Sequence, residues 1–199
     1  YETFVKEYNE KQWGVPAASL SAELCKRFDV RHDDEPRLKP DAAYQGIPEE
    51  GYTKWMSNML AGIPVILNYD YLANRSSIRA RKCLIFTGPI DAFFSYELGR
   101  LQYRGQKRDH QYHPDIEGFH QPCGQVNNPT HAGGQHIRTL EWKHMMRPDV
   151  AKRISGTVIS REIPFSPNDP NDFEYPFPDS KNAHLYQQYR DHAETLPNV

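Results

Sequence analysis

Long apolar runs are missing from this sequence. None approaches the roughly 18 residues of a membrane-spanning helix, and no signal-peptide pattern opens the chain. A cytoplasmic protein with no membrane partner is therefore expected. Cysteine is scarce: Cys25, Cys83 and Cys123 are the only three, odd in number and far apart. That argues against a disulfide framework and for a reducing cytosol. Net charge is small, at −2 from 24 basic and 26 acidic residues. No bulk field draws the chain toward nucleic acid, so any anion site has to be built locally. A Gly-x-Gly-x-x-Gly fingerprint, a Walker loop and a nucleophile elbow are all lacking, which leaves no phosphate cradle for a dinucleotide. Neither paired carboxylates nor a Cys/His dyad stand out for acid–base or nucleophilic work.

What is present is a soluble globular balance over 199 residues, 38% hydrophobic and 12% aromatic, enough to bury a core. The first residue is Tyr1, and Tyr1, Phe4, Val5 and Tyr8 already keep helical spacing. The chain thus reads as a cut piece of something longer that begins inside a helix. That helix is predicted over residues 1–12, stopped near Gly14 and Pro16, followed by a short helix from about Ala17 to Phe28. A polar, Pro-interrupted stretch from Arg31 to Ala43 reads as a loop. Tyr52, Trp55, Met56, Met59 and Leu60 then repeat at helical spacing, predicting one buried face, with Gly62 as the stop. Val65–Leu67 and Cys83–Phe86 read as strands. The second runs into Thr87-Gly88-Pro89, after which Asp91 is expected to cap a helix closed at Gly99.

From Leu101 onward the pattern changes to separated strand-like runs, Leu101–Arg104, Gln125–Asn127, His136–Trp142 and Thr157–Pro164, as in an antiparallel sheet. The stretch around Gln106–His120 reads as a solvated loop. A Pro- and Asp-rich loop spans Ser166–Ser180, and a last helix covers about Asn182–Thr195 with Leu185, Tyr189 and Leu196 facing inward. The fold class is α/β in the α+β sense, with helices and a mainly antiparallel sheet.

Six short strings stand out in order: YNEKQWG (Tyr8–Gly14), KRFDVR (Lys26–Arg31), YQGIPEEGY (Tyr44–Tyr52), TGPIDAFFSYELGRLQYR (Thr87–Arg104), HIRTLEWKH (His136–His144) and EYPFPDSKNAHLY (Glu174–Tyr186). Singly they allow ordinary readings. A lone arginine is usually a solvated surface charge, Tyr8 and Trp13 at helical spacing suit core packing, and Thr87-Gly88-Pro89 suits a tight turn. Together, over nearly the whole chain and most weakly between Gln106 and Gln135, they resemble the UDP-galactopyranose mutase family.

The resemblance implies contraction of UDP-galactopyranose to UDP-galactofuranose, with reduced FAD as the covalent catalyst. It places Arg27, from a mobile loop, and Arg138, from a sheet strand, on the diphosphate; planar guanidinium groups bind phosphate oxygens in a fork. Tyr8 falls on the uridine-stacking tyrosine, with Phe4 one helical turn before it and Trp13 beside it, and Asn127 falls near the sugar or ribose. Gly46 and the Thr87, Gly88 and Pro89 turn match segments that lie against the cofactor. By the same resemblance, residues 1–43 are the end of a helical substrate domain with its loop, 44–99 part of the FAD domain, and 100–199 a sheet substrate domain with a closing helix. The implied partners are UDP-galactose or a related UDP-sugar and the rest of the polypeptide, with a homodimer left open. Lacking the family's N-terminal phosphate-binding and C-terminal flavin-contacting segments, the chain alone is expected neither to retain FAD nor to turn over.

Three departures bear on the substrate. Arg37-Leu38, His136-Ile137 and Glu162-Ile163-Pro164 stand where hydroxyl-bearing side chains are expected, each such bond being worth about 0.5–1.5 kcal/mol. They leave two rival readings, a non-catalytic nucleotide-sugar-binding module and a flavoenzyme for another UDP-sugar. His110, His113, His120 and Cys123 are metal-ligand types, but their spacing matches no standard zinc module, and no metal site is assigned.

Overall fold

The computed structural model describes residues 1–27, 32–35, 41–44, 46–114 and 116–196, with the backbone alone for residues 25–27. In chain order the regular elements are α1 (Tyr8–Trp13), α2 (Gly51–Met59), α3 (Ile90–Phe93), β1 (Tyr103–His113), β2 (Gln125–Asn127), β3 (Arg138–Glu141), α4 (Pro148–Ala151), β4 (Thr157–Phe165), β5 (Tyr175–Pro176) and α5 (Ser180–Ala193). Every strand pair is antiparallel, so the chain has the mixed helix-and-sheet fold that its pattern predicts. No described helix is long and apolar enough to cross a membrane. Two compact units emerge, one from Tyr1–Met59 with Gly105–Phe165, the other from Leu60–Arg104 with Ser166–Val199.

In the first unit, a wide π-helical turn over Glu2–Glu7 leads into α1. Gly14 ends it with φ 72°, a left-handed cap that only glycine adopts cheaply. The single helix expected over Ala17–Phe28 is instead two 3-10 turns, Ala17–Ser19 and Ala22–Arg27, with Leu20 extended between them. Serine side chains explain the break: the Ser19 hydroxyl donates to the Pro16 carbonyl and Ser21 Oγ accepts from the Glu23 N–H. Such local bonds compete with a helical ladder.

The sheet of this unit runs β2–β3–β4–β1. Gln125–Asn127 is a strand as expected, and the next two runs trim to β3 and extend to β4. The stretch expected as a loop is corrected: β1 continues through Gln106–His113, paired with β4 from Gly105↔Phe165 to His113↔Thr157. A backbone ladder needs only N–H and C=O groups, so a polar sequence forms a strand once a partner is supplied.

Glu141 is wholly buried in this unit. Its carboxylate accepts from the His120 and Gln121 N–H groups at 2.9 and 2.8 Å and from the Thr157 hydroxyl at 2.8 Å. Burial pushes its pKa up, but those donors and nearby His144 outweigh burial and hold the carboxyl below its usual range. Lys143, two residues on, is buried as well and donates to the carbonyls of Ile154 and Gly156 at 2.7 and 3.1 Å.

In the second unit Asp91 is buried, but it does not cap a long helix as expected. Pro89 holds the N-cap position and α3 stops after Phe93, because Ser95 and Tyr96 turn left-handed. Asp91 spends its oxygens on the Ala92 and Leu101 N–H groups, at 3.0 and 2.9 Å. Tyr189 of α5 is fully buried; its hydroxyl donates to the Gly99 carbonyl at 2.7 Å and accepts from the Leu98 N–H at 3.0 Å. Asp179 caps α5 through the Asn182 N–H. Residues 103–104, the start of β1, pair with β5 here.

Two expectations fail for one reason. Val65–Leu67 and Cys83–Phe86 are not strands, and Leu67 and Ile85 are 78% and 81% exposed. Likewise α2 forms, yet its predicted buried face of Tyr52, Trp55, Met56 and Met59 is exposed. A strand needs a neighbour for its backbone groups and an apolar face needs a cover, and neither occurs among the described residues.

Glu141→Gln should destabilise the protein by roughly 2–4 kcal/mol, since an amide cannot match a carboxylate facing three donors. The folded pKa lies below the unfolded one, so this stabilisation is present above the ordinary glutamate range and is lost as pH falls through the folded value. Urea midpoints measured from pH 7 to pH 3 should fall for the parent and show less of that acid dependence for the variant.

Candidate functional site

The strand register builds one line of polar side chains across the first unit. Asn127 on β2 pairs with Arg138 on β3, Arg138 with Glu162 on β4, and Glu162 with Arg108 on β1. Directly paired residues share a sheet face, so the four side chains stand in a row. Glu162 is buried at its centre, 3% exposed. One of its oxygens takes Arg138 Nε, and the other takes Arg108 Nε at 3.2 Å. Arg138 is 22% exposed at its side chain and Arg108 41%. Asn127 Oδ1, on the exposed strand β2, accepts from Gln125 at 3.1 Å.

Strand alternation sends Ile137 and Ile163 to the opposite face. Ile137 is fully buried and its N–H donates to the Glu162 carbonyl at 2.8 Å. Two of the three departures therefore carry apolar side chains on the face away from Arg138. His136 meets the Asn128 amide at 3.2 Å. Burial first, then Lys11 and Arg161, hold its pKa below the usual value, so its imidazole stays neutral at neutral pH.

Helix α1 packs against β4 and brings Tyr8 and Trp13 into the same unit. Tyr8 is half-buried, Trp13 is a core residue at 6% exposure, and Phe4 on the preceding π turn is 76% exposed. Gln12 accepts from buried Gln106 at 3.0 Å. Lys11, also buried, donates to the Asn128 and Thr130 carbonyls at 2.9 and 2.7 Å. Burial pulls its pKa down, with Glu7 acting the other way. Glu7 itself accepts from the His131 N–H at 2.6 Å.

Arg27 ends the Ala22–Arg27 turn, but its side chain lies outside the described residues, as do Arg37 and Leu38. Gly46 is exposed in the first unit, with nothing within 4 Å of where a Cβ would sit. Thr87, Gly88 and Pro89 belong to the second unit. There a Cβ on Gly88 would meet the Phe86 ring at 2.5 Å, so the glycine admits that ring. His110 bonds Ser160, His113 stacks on His120 at 5.2 Å, and Cys123 donates to the Gln125 carbonyl at 3.1 Å.

The polar row uses residues that sequence reasoning passed over. Glu162 and Arg108 carry no spacing signal, because their meeting with Arg138 exists only once three strands are in register. Lys11, on α1, likewise shows its role only when the loop after β2 is folded against it.

A family model for UDP-galactopyranose mutase matches residues 3–199. The chain belongs to the UDP-galactopyranose mutase family. It is 28% identical to the UDP-galactopyranose mutase of Mycoplasma pneumoniae, over 96% of this chain and 50% of that protein. It is 27% identical to the probable UDP-galactopyranose mutase of Klebsiella pneumoniae, over 100% of this chain and 50% of that protein. It is also 28% identical to the dTDP-fucopyranose mutase of Escherichia coli, over 84% of this chain and 46% of that protein. The chain thus spans about half the length of the curated mutases it matches.

Removing the centre of the row should cost far more than removing its rim. Glu162→Ala leaves guanidinium groups without their buried counter-ion and should cost about 3–5 kcal/mol. Arg108→Met, losing a partly exposed partner, should cost about 1 kcal/mol or less. Chemical denaturation of both variants beside the parent measures the contrast.

Proposed function

We propose that this chain supplies the UDP-sugar-binding part of a mutase interconverting UDP-galactopyranose and UDP-galactofuranose. The observation that carries this reading is Arg138: its guanidinium is fixed by a buried carboxylate, beside Asn127, in the unit whose first helix presents Tyr8. A diphosphate needs a charge that stays protonated and is held in one orientation. Glu162 provides the orientation through Nε. Arg27 is assigned as the second diphosphate arginine, and Tyr8 as the uracil platform with Phe4 before it. Trp13, being buried, serves by setting the helix that carries Tyr8. Stacking of a base on such a ring is worth on the order of 1–3 kcal/mol.

FAD in reduced form, when bound, supplies the nucleophile for the anomeric carbon. Each residue matched to it leaves its own backbone accessible: in the first unit Gly46 is exposed with open space beside it, and in the second Thr87 and Gly88 are exposed. Pro89 starts the short helix that follows. Residues 44–99 are assigned to the flavin domain, and the exposed apolar segments Val65–Leu67 and Ile85 and the face of α2 support its completion by the rest of the polypeptide. The flanking assignments, residues 1–43 to a helical substrate domain and 100–199 to a sheet domain, stand on the same resemblance.

A second reading differs in the sugar. The chain is 28% identical both to a UDP-galactopyranose mutase, over 96% of its length, and to a dTDP-fucopyranose mutase, over 84%.

Titration calorimetry with UDP tests the first reading. Arg138→Ala should weaken UDP binding by about 10- to 100-fold, the worth of a charged hydrogen-bonding pair, and the parent's affinity should fall with added salt. Equal affinity of parent and variant would remove Arg138 from the site. The two sugars are separated by turnover of UDP-galactopyranose against dTDP-fucopyranose, with the whole protein and reduced FAD.

A further inference from the structure

Glu7 and Lys11 lie four residues apart and so on one face of the helical turn that begins α1. Opposite charges at that spacing usually pair with each other. Here each reaches away to the loop between β2 and β3. Glu7 accepts from the His131 N–H at 2.6 Å, and Lys11 donates to the Asn128 and Thr130 carbonyls at 2.9 and 2.7 Å. The loop is braced in turn by Asn128, whose amide nitrogen donates to the Gly133 and His136 carbonyls at 2.8 and 2.9 Å. Asn127 precedes this loop and Arg138 follows it.

We infer that Glu7 and Lys11 are positioning residues that lock α1 to the β2–β3 loop, so that Tyr8 and Arg138 are held at a preset separation and a nucleoside diphosphate is recognised as one unit. The inference rests on the proposed roles of Tyr8 and Arg138. Its physical content is chelation: two weak contacts held at the right span multiply their affinities, and lose that gain when the span fluctuates. Lys11 is suited to this task because it is buried and bonds backbone carbonyls, which fix the loop whatever its side chains. Neither residue needs to touch the ligand.

The test compares a joined ligand with its halves. Binding of UDP, of uridine alone and of inorganic pyrophosphate alone is measured for the parent, Lys11→Met, Lys11→Arg and Glu7→Ala, with thermal unfolding as a check on folding. Lys11→Met should weaken UDP by about tenfold or more while leaving uridine and pyrophosphate within about twofold. Lys11→Arg, which can still donate to both carbonyls, should recover most of the loss. Glu7→Ala removes one strut near the surface and should show the same pattern more weakly, so it carries the test should Lys11→Met fail to fold. Unchanged UDP affinity in Glu7→Ala and in a folded Lys11→Met overturns the inference. So does an equal loss for UDP and for both halves, which would mean damage to the contacts themselves. A parent that binds no UDP overturns the underlying roles of Tyr8 and Arg138 and this inference with them.

Discussion

A carboxylate buried between two guanidinium groups is the constraint on which the first unit turns. Glu162 sits on β4, the strand that pairs on one side with β1 and on the other with β3. A lone buried charge costs several kcal/mol, and an ion pair offsets this only with good geometry and further hydrogen bonds. Glu162 meets that condition by dividing its two oxygens between Arg138 and Arg108. The pairing is satisfied in one register alone. A slip of one residue would turn every side chain of the strand to the other face and leave the carboxylate without a partner. The interaction that specifies the sheet is thereby the one that orients the arginine assigned to the diphosphate.

Other buried charges in the unit follow a different logic, serving backbone rather than one another. Glu141 gathers two N–H groups and a hydroxyl, Lys143 gathers two carbonyls, and Lys11 gathers two more. Each ties down a connection that has no ladder of its own. Unpaired backbone groups in such segments would be costly if buried, and a single long side chain satisfies two at once. This explains why the family strings YNEKQWG and HIRTLEWKH contain charged residues that bind no ligand in the proposed function.

The sequence was most legible where its signal is local. The stop at Gly14, strand Gln125–Asn127 and the buried Tyr189 on the last helix were readable from spacing and caps. Legibility failed where a partner decides the outcome. Polar Gln106–His113 became strand because β4 lies beside it, whereas apolar Val65–Leu67 stayed irregular with no neighbouring strand among the described residues. For the site, family strings pointed to Tyr8 and Arg138, and the weaker resemblance between Gln106 and Gln135 to Asn127, but none pointed to the carboxylate that fixes the arginine. Glu162 was seen only as the flank of a missing tyrosine, because its role arises from register between strands more than 20 residues apart in sequence (Arg138 and Glu162).

The phenyl ring of Phe86 has a consequence at the Thr87-Gly88-Pro89 turn. It fills the space a Cβ on Gly88 would need, and it rests against Tyr71 and Phe93 with centroids at 5.9 and 5.1 Å. Any side chain at position 88 would have to displace that ring and give up aromatic contacts worth on the order of 1 kcal/mol. Packing by its own neighbour two residues back, rather than backbone conformation, is therefore what requires glycine there.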